Sequence, residues 1–257
     1  MKKLKLFALV VVAIMSLSGI ANAETNLNLL ASDDFVGISF WLVSMGCLAA
    51  TVFFFLERGS VPSGWRVPVT VSGLVTGIAF INYIYIREVW VSMDDLPIVY
   101  RYIDWLITMP LLMLQFYFVL SAVRKIQSAT FWRLLLGSLA MFIGGFLGEA
   151  GHVPAIVGFV ILMAAWIFIL YEVFSGYAGK LAAKSGNKAL ASAYGAMRMI
   201  VTIGWSVYPL GYVFGTLIGD MDANSLNIIY NATDFLNKIA FGLIIWTAAI
   251  QQSGRAK

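Results

Sequence analysis

Long apolar runs alternate with short polar connections along this chain. Seven runs are predicted to cross a bilayer as helices, at about 34–57, 68–90, 97–122, 130–149, 153–175, 190–218 and 226–251. About 20 apolar residues span the hydrocarbon core as a helix, and a helix satisfies its own backbone hydrogen bonds in lipid. The runs are too long for barrel strands and do not alternate as those strands do. The pattern therefore predicts an all-α membrane protein, a bundle of seven transmembrane helices.

The N-terminus has the pattern of a secretory signal peptide. Lys2, Lys3 and Lys5 precede an apolar run, and the small residues Ala21 and Ala23 mark a cleavage site. We therefore expect residues 1–23 to be cleaved and residues 24–257 to form one seven-helix domain. The alternative is an uncleaved first transmembrane helix.

Composition agrees with a membrane location, since 61% of the residues are hydrophobic and only 12% are charged. The lipid bilayer is the expected partner, with no nucleic acid and no metal site. The single cysteine, Cys47, cannot form an intramolecular disulfide and is expected to serve packing.

Basic residues are unevenly divided between the connections. Acidic residues dominate the connections after the second and sixth runs, whereas the other side carries Arg58, Arg66, Arg124, Lys125, Arg133, Lys180, Lys184, Lys188, Arg255 and Lys257. The positive-inside rule places this basic set in the cytoplasm. The prediction is a multi-pass protein of the bacterial inner membrane, with its N-terminus outside and its C-terminus cytoplasmic.

Four of the charged residues inside the predicted spans stand out: Arg101, Asp104, Asp234 and Lys238. Such a residue costs about 2.5–3.5 kcal/mol at mid-membrane on insertion scales, so each needs a partner or a function. Asp234 and Lys238 are four residues apart and share a helix face, and a simple neutralising ion pair is one reading. A desolvated lysine is also suited to forming a Schiff base with an aldehyde, with two acids on its extracellular side.

Aromatic residues in three helices could line a ligand site beside this lysine. Tyr83, Trp105, Trp205 and Tyr208 are the candidates, and Pro209 is expected to bend the sixth helix. Ordinary packing is the alternative for these residues.

Three stretches carry a resemblance to a known family: RYIDWLITMPLL (101–112), GWSVYPLGY (204–212) and NATDFLNKIAFGLIIW (231–246). At these positions the chain resembles the microbial rhodopsins, and specifically the proteorhodopsins. The resemblance extends over essentially all of the chain after the predicted signal peptide.

The resemblance implies all-trans retinal bound covalently to Lys238 as a Schiff base. It implies Asp104 as proton acceptor and main counterion, Asp234 as second counterion and Arg101 as organiser of these charges. Thr108 matches the middle residue of the family's three-residue signature. Positions matching the retinal pocket are Tyr83, Trp105, Leu112, Met141, Trp205, Tyr208 and Pro209, and the leucine at 112 is associated with green absorption.

Two positions depart from the family pattern. Gln115 stands where the family pump has a glutamate as cytoplasmic proton donor, about 17 Å along the helix from Asp104 and only about 20° round it. An amide has no acidic proton to release near neutral pH. Asn82 stands where the family usually has a histidine that hydrogen-bonds the acceptor.

The predicted function is a light-driven outward proton pump with slow reprotonation. A slow-cycling photosensor also suits the missing donor, although no transducer domain is evident. A pump for another cation is less favoured, because Gln115 matches only the last residue of the sodium-pump signature. A seven-helix receptor or transporter outside the rhodopsins is a further alternative.

Three further positions bear on assembly and on the outer side. The resemblance implies ring-shaped homo-oligomers, pentamers or hexamers, and Trp41 is placed to contact a neighbouring protomer near residue 82. His152 and Glu149 lie on the predicted extracellular side. His152 is either a solvated loop residue or a modulator of the exit path, and Glu149 either joins the outer network or stabilises the turn.

Overall fold

The computed structural model describes residues 30–93 and 98–254. The predicted signal peptide, residues 1–23, lies outside them. The helices run Phe35–Glu57, Arg66–Met93, Ile98–Ser121, Ser128–Glu149, Ala155–Phe174, Tyr177–Ala183, Lys188–Met199, Val207–Tyr212 and Ala223–Gln252. Seven segments are long and apolar enough to cross a membrane: Phe35–Glu57, Ser63–Met93, Ile98–Ser121, Ser128–Glu149, Ala155–Ala183, Lys188–Ile218 and Ala223–Gln252, here called the first to seventh spans. The predicted seven-helix bundle is confirmed.

The connection after the fifth span is shorter than the sequence pattern predicts. Residues Tyr177–Ala183, expected to lie partly in a polar break, form a helix that prolongs this span. Alanine and lysine are good helix formers, which accounts for the extension. The helical region ends before Gly186, whose φ of 66° lies in the left-handed region that favours glycine.

The sixth span is not a uniform α-helix. Two π-helical segments, Ile200–Gly204 and Val213–Ile218, flank a short α-helix, Val207–Tyr212, that contains Pro209. Proline has no N–H to donate and disturbs the preceding turn of a helix. π-Segments of this kind are often found at functional sites, and these two bracket the predicted ligand-facing residues Trp205 and Tyr208.

The fourth and fifth spans approach closely through glycine. A Cβ atom at Gly148 would collide with the hydroxyl of Tyr212 and lie 2.9 Å from the Cα of Gly158. Close approach allows the Tyr212 hydroxyl to donate to the carbonyl of Ala155 at 2.7 Å. Small residues thus join three spans at the end of the bundle where the fourth span ends.

Side-chain caps fix the beginnings of the first and seventh spans. Asp34 accepts a hydrogen bond from the Gly37 N–H at 2.7 Å, and Asp222 accepts one from the Ser225 N–H at 2.9 Å. These bonds satisfy helix N–H groups that have no partner within the helix. Hydrogen bonding from Ser225 lowers the pKa of Asp222, because it stabilises the ionised carboxylate.

Candidate functional site

A lysine between two carboxylates lies in the interior of the bundle. The Nζ atom of Lys238 donates a hydrogen bond to Asp104 Oδ2 and lies 2.9 Å from Asp234 Oδ2. All three side chains are at most 1% exposed. The third and seventh spans therefore bring together three of the four charges that the sequence singled out. Buried charges of this kind are tolerated only where opposite charges and hydrogen bonds compensate their loss of hydration.

The two carboxylates differ in their hydrogen bonds. Asp234 accepts from Tyr83 at 2.7 Å, from Tyr208 at 2.6 Å and from the Trp105 indole at 3.1 Å. Asp104 accepts only a long bond of 3.4 Å from the Thr108 hydroxyl besides its contact with the lysine, and its Oδ1 has no partner among the described residues. Donors stabilise an ionised carboxylate. Asp234 thus has more hydrogen-bond donors to stabilise a negative charge than Asp104 has.

Arg101 does not contact these carboxylates directly. Its guanidinium donates to Asn227 Oδ1 at 2.6 Å and to Asn231 Oδ1 at 2.9 Å, and it forms no salt bridge within the described residues. The rings of Phe40 and Tyr230 lie 5.7 Å and 5.3 Å from it. Neutral amides and aromatic faces hold the guanidinium, and it reaches Asp234 through the Tyr83 hydroxyl.

Aromatic rings cluster next to the lysine centre. Phe142, which the sequence reasoning missed, lies 6.2 Å from Trp105, 5.9 Å from Trp205 and 6.4 Å from Tyr208, measured between ring centroids. The indole N–H of Trp205 is buried without a partner in the described chain. The remaining predicted pocket residues, Leu112, Met141 and Pro209, are also buried.

Gln115 connects the third span to the second. Its amide nitrogen donates to the Pro68 carbonyl and to the Ser72 hydroxyl, both at 3.0 Å. Its Oε1 atom is buried without a partner among the described residues. The side chain is thus fixed in the bundle interior, on the same face of the third span as Asp104.

Asn82 does not take the place of the histidine implied by the resemblance. Its amide nitrogen donates to the Tyr100 carbonyl at 3.4 Å, and it has no hydrogen bond to Asp104. Asparagine is shorter than histidine, and the nearby backbone oxygen competes for its N–H groups. The departure from the family pattern at residue 82 thus comes with a contact to the third-span backbone at Tyr100.

A second polar group lies where the fourth span ends. Glu149 accepts from the Tyr102 hydroxyl at 2.7 Å and from Thr216 at 3.1 Å. His152 is exposed, with its ring 5.8 Å from that of Phe146. The bonds of Glu149 join three spans, so it is part of a network and does more than close a turn.

Two sets of polar residues escaped the sequence reasoning. The amides of Asn227 and Asn231 precede Asp234 and Lys238 by seven residues each, and all four positions fall on one helix face, which is a signal that could have revealed them. Arg198, inside the sixth span, is a further charge. It lies over the rings of Phe174 at 4.8 Å and Tyr194 at 5.3 Å without a carboxylate partner in the described residues.

Trp41 is 39% exposed, and the guanidinium of Arg87 lies 5.4 Å from its ring.

Within residues 30–93 and 98–254, no group of three His, Cys, Asp or Glu side chains is arranged to hold a metal ion.

The fold and the site define a seven-helix membrane protein with a buried lysine–carboxylate centre. A family model described as bacteriorhodopsin-like protein matches residues 34–252. The chain is 51% identical over 225 residues to the blue-light absorbing proteorhodopsin of Gamma-proteobacterium Hot 75m4, covering 87% of this chain and 89% of that one. It is 49% identical over 228 residues to the green-light absorbing proteorhodopsin of Gamma-proteobacterium EBAC31A08, covering 88% and 91%.

Solved structures agree with this match. The crystal structure of blue light-absorbing proteorhodopsin from Med12 superimposes with a TM-score of 0.74 at 46% identity, over 85% of this chain and 99% of that one. That of Exiguobacterium sibiricum rhodopsin gives 0.75 at 32%, over 86% and 98%. The chain belongs to the bacteriorhodopsin-like family and is a proteorhodopsin-type microbial rhodopsin. The blue- and green-absorbing relatives are almost equally similar, so overall identity does not decide its colour.

Proposed function

We propose that this chain is a light-driven outward proton pump that carries all-trans retinal covalently on Lys238. The observation that carries the proposal is the buried Lys238 amine held between Asp104 and Asp234. The proteorhodopsin relatives at about half identity support it.

The residues around Lys238 fit retinal. Burial disfavours the charged form of an amine, and a neutral amine can react with an aldehyde. The clustered rings of Trp105, Phe142 and Trp205 offer an apolar lining for a polyene. Trp205 Nε1 and Asp104 Oδ1 are buried without partners in the described chain, as expected of atoms that face a site. When bound, retinal would supply light absorption and a change of shape at the Lys238 nitrogen.

The two carboxylates then have different roles in proton transfer. Asp104 would accept the proton of the Lys238 nitrogen, since it has the unpaired oxygen. Asp234 would stay ionised, because three donors stabilise its charge. Moving one charge against the membrane potential takes about 2.3 kcal/mol per 100 mV, so access to the lysine must change sides between proton loss and proton return.

Return of the proton is the slow step in this proposal. Gln115 is an amide with no proton to release, and its two hydrogen bonds hold it in place. Water entering from the cytoplasmic side would then have to supply the proton. The same observation favours a slow-cycling photosensor as the second candidate.

The surroundings of the pump are part of the proposal. We infer a bacterial inner membrane, with the N-terminus outside, from the basic residues gathered on one side. From the family resemblance we also propose a homo-oligomer of five or six protomers, in which the exposed Trp41 would contact a neighbouring protomer.

Light-driven pH changes test the function. Cells that express the chain with added retinal are illuminated in unbuffered salt, with a Lys238→Ala variant as control. Acidification of the medium that a protonophore abolishes is expected. Alkalinisation enhanced by a protonophore would indicate another transported cation. A visible band without any pH change would favour the photosensor.

A further inference from the structure

Two asparagines of the seventh span form a cradle for Arg101. The guanidinium lies 2.6 Å from Asn227 Oδ1 and 2.9 Å from Asn231 Oδ1, and the Asn227 carbonyl lies 3.5 Å away. Arg101 is 3% exposed, Asn227 7% and Asn231 0%. These are short, buried, charge-assisted hydrogen bonds, which are stronger than those between neutral groups.

A residue of the first span fixes the orientation of the second asparagine. Asn231 Nδ2 donates to the Ser39 hydroxyl at 2.7 Å, and that hydroxyl donates to the Val36 carbonyl at 2.7 Å. Because the amide nitrogen is engaged by Ser39, the amide oxygen faces Arg101. The cradle therefore joins the first, third and seventh spans in one chain of hydrogen bonds.

The cradle separates Arg101 from the carboxylates. Arg101 reaches Asp234 only through Tyr83, whose hydroxyl lies 3.5 Å from the guanidinium and 2.7 Å from Asp234. The acceptors of the guanidinium are uncharged, so nothing in the cradle neutralises it. Without the amides, the nearest compensation for a buried cation would be the ionised acids.

We propose that Asn227 and Asn231 are positioning residues that hold Arg101 away from Asp104 and thereby set the pH at which Asp104 takes up a proton. This inference rests on the proposed function, in which Asp104 is the proton acceptor. A guanidinium that moved towards Asp104 would stabilise its ionised form, so the cradle keeps Asp104 a stronger proton acceptor.

Several charged and titratable groups act on Asp104. They come from the first, second and seventh spans and from its own span, and are Cys47, Tyr83, Asp234, Lys238 and Arg101. Only Arg101 is held by the amides, so only its contribution should change.

Titration of the visible band tests the proposal in the dark. Asn227→Leu and Asn231→Leu remove one amide each and keep the branching and the number of side-chain heavy atoms. An opposite charge that comes within about 4–6 Å of a carboxyl lowers the pKa of that carboxyl by about 1–3 units. The midpoint of the colour change should therefore fall by about one pH unit or more. Asn224→Leu, the same change at an exposed position of the same helix, should leave the midpoint where it was.

A second pair of variants shows whether the amides act through Arg101. Arg101→Gln alone should raise the midpoint, because a cation is lost. Adding Asn231→Leu to Arg101→Gln should change nothing further, since interacting residues give non-additive effects. A leucine variant with an unchanged or raised midpoint overturns the proposal, as does an equal effect of Asn231→Leu with and without Arg101.

Where the leucine variants do not form a pigment, Ser39→Ala loosens only the anchor of Asn231 and should shift the midpoint in the same direction; an unchanged midpoint counts against the cradle. A high-resolution structure of Asn231→Leu gives a readout that needs no pigment, with Arg101 expected within about 4 Å of Asp104 or Asp234. Absence of any visible band in the native chain would contradict the proposed function. An Arg101 side chain that stays in place in Asn231→Leu would contradict only this inference.

Discussion

Replacing Gln115 by glutamate should speed the return of the proton to the Lys238 nitrogen. The amide now donates to Pro68 and Ser72. A protonated carboxyl keeps one donor and gives up one hydrogen bond, at a cost of about 0.5–1.5 kcal/mol. That cost is small enough for the bundle to fold. The carboxyl would then offer a transferable proton at the inner end of the face that carries Asp104.

The expected acceleration follows from the position of the group. A positioned general acid contributes about 10²- to 10⁴-fold. Residue 115 lies about 17 Å along the helix axis from Asp104, so its proton must pass through intervening water. We therefore expect the lower end, about 100-fold.

Flash photolysis measures this directly, through recovery of the visible band after a light pulse. In the native protein the proton must come from bulk water, so recovery should slow about tenfold for each pH unit of increase. Gln115→Glu should recover faster, and almost independently of pH until the new carboxyl ionises. Gln115→Leu, which has no proton to give, is the matched control and should keep the native pH dependence. Native recovery that is already independent of pH would refute the reasoning, because another group would then be the donor.

Three further changes test the outer half and the packing. Asp104→Asn should abolish light-driven acidification and shift the visible band to longer wavelength, since the main negative charge beside the lysine is lost; a normal pH signal would contradict its role as acceptor. Tyr208→Phe removes a 2.6 Å bond to the second carboxylate and should cost about 1.5–3 kcal/mol, seen as faster thermal bleaching; unchanged bleaching would count against this bond. Gly148→Ala places a methyl group against the Tyr212 hydroxyl and should destabilise the bundle by about 1–3 kcal/mol, whereas Gly195→Ala, with open space around it, should be nearly neutral; equal effects would contradict the packing.

The sequence predicted the bundle and its central charges because both follow from the cost of polar groups in lipid. Seven apolar runs leave little choice of fold, and charges inside them must meet one another. The contact of Lys238 with Asp104 and Asp234 could thus be expected from the sequence.

The finer arrangement could not be predicted, because it depends on competition between partners from different spans. Arg101 could have paired with an acid, yet two asparagines lie closer. Asn82 could have reached Asp104, yet the Tyr100 carbonyl takes its N–H group. Arg198 lies over aromatic rings and not beside a carboxylate, and its position in the sequence does not indicate which of these partners it takes. Which partner a side chain takes depends on small differences in distance between spans. The spacing of residues along one helix does not determine those distances.

The central claim is that the amine of Lys238 binds retinal covalently. Borohydride reduction under illumination would fix a retinyl group on the amine that carries it, and mass spectrometry of the digested protein would locate that amine. The account predicts a retinyl group on the peptide containing Lys238, with no visible band in Lys238→Ala. A retinyl group on a different lysine, or a normal pigment in Lys238→Ala, would contradict it.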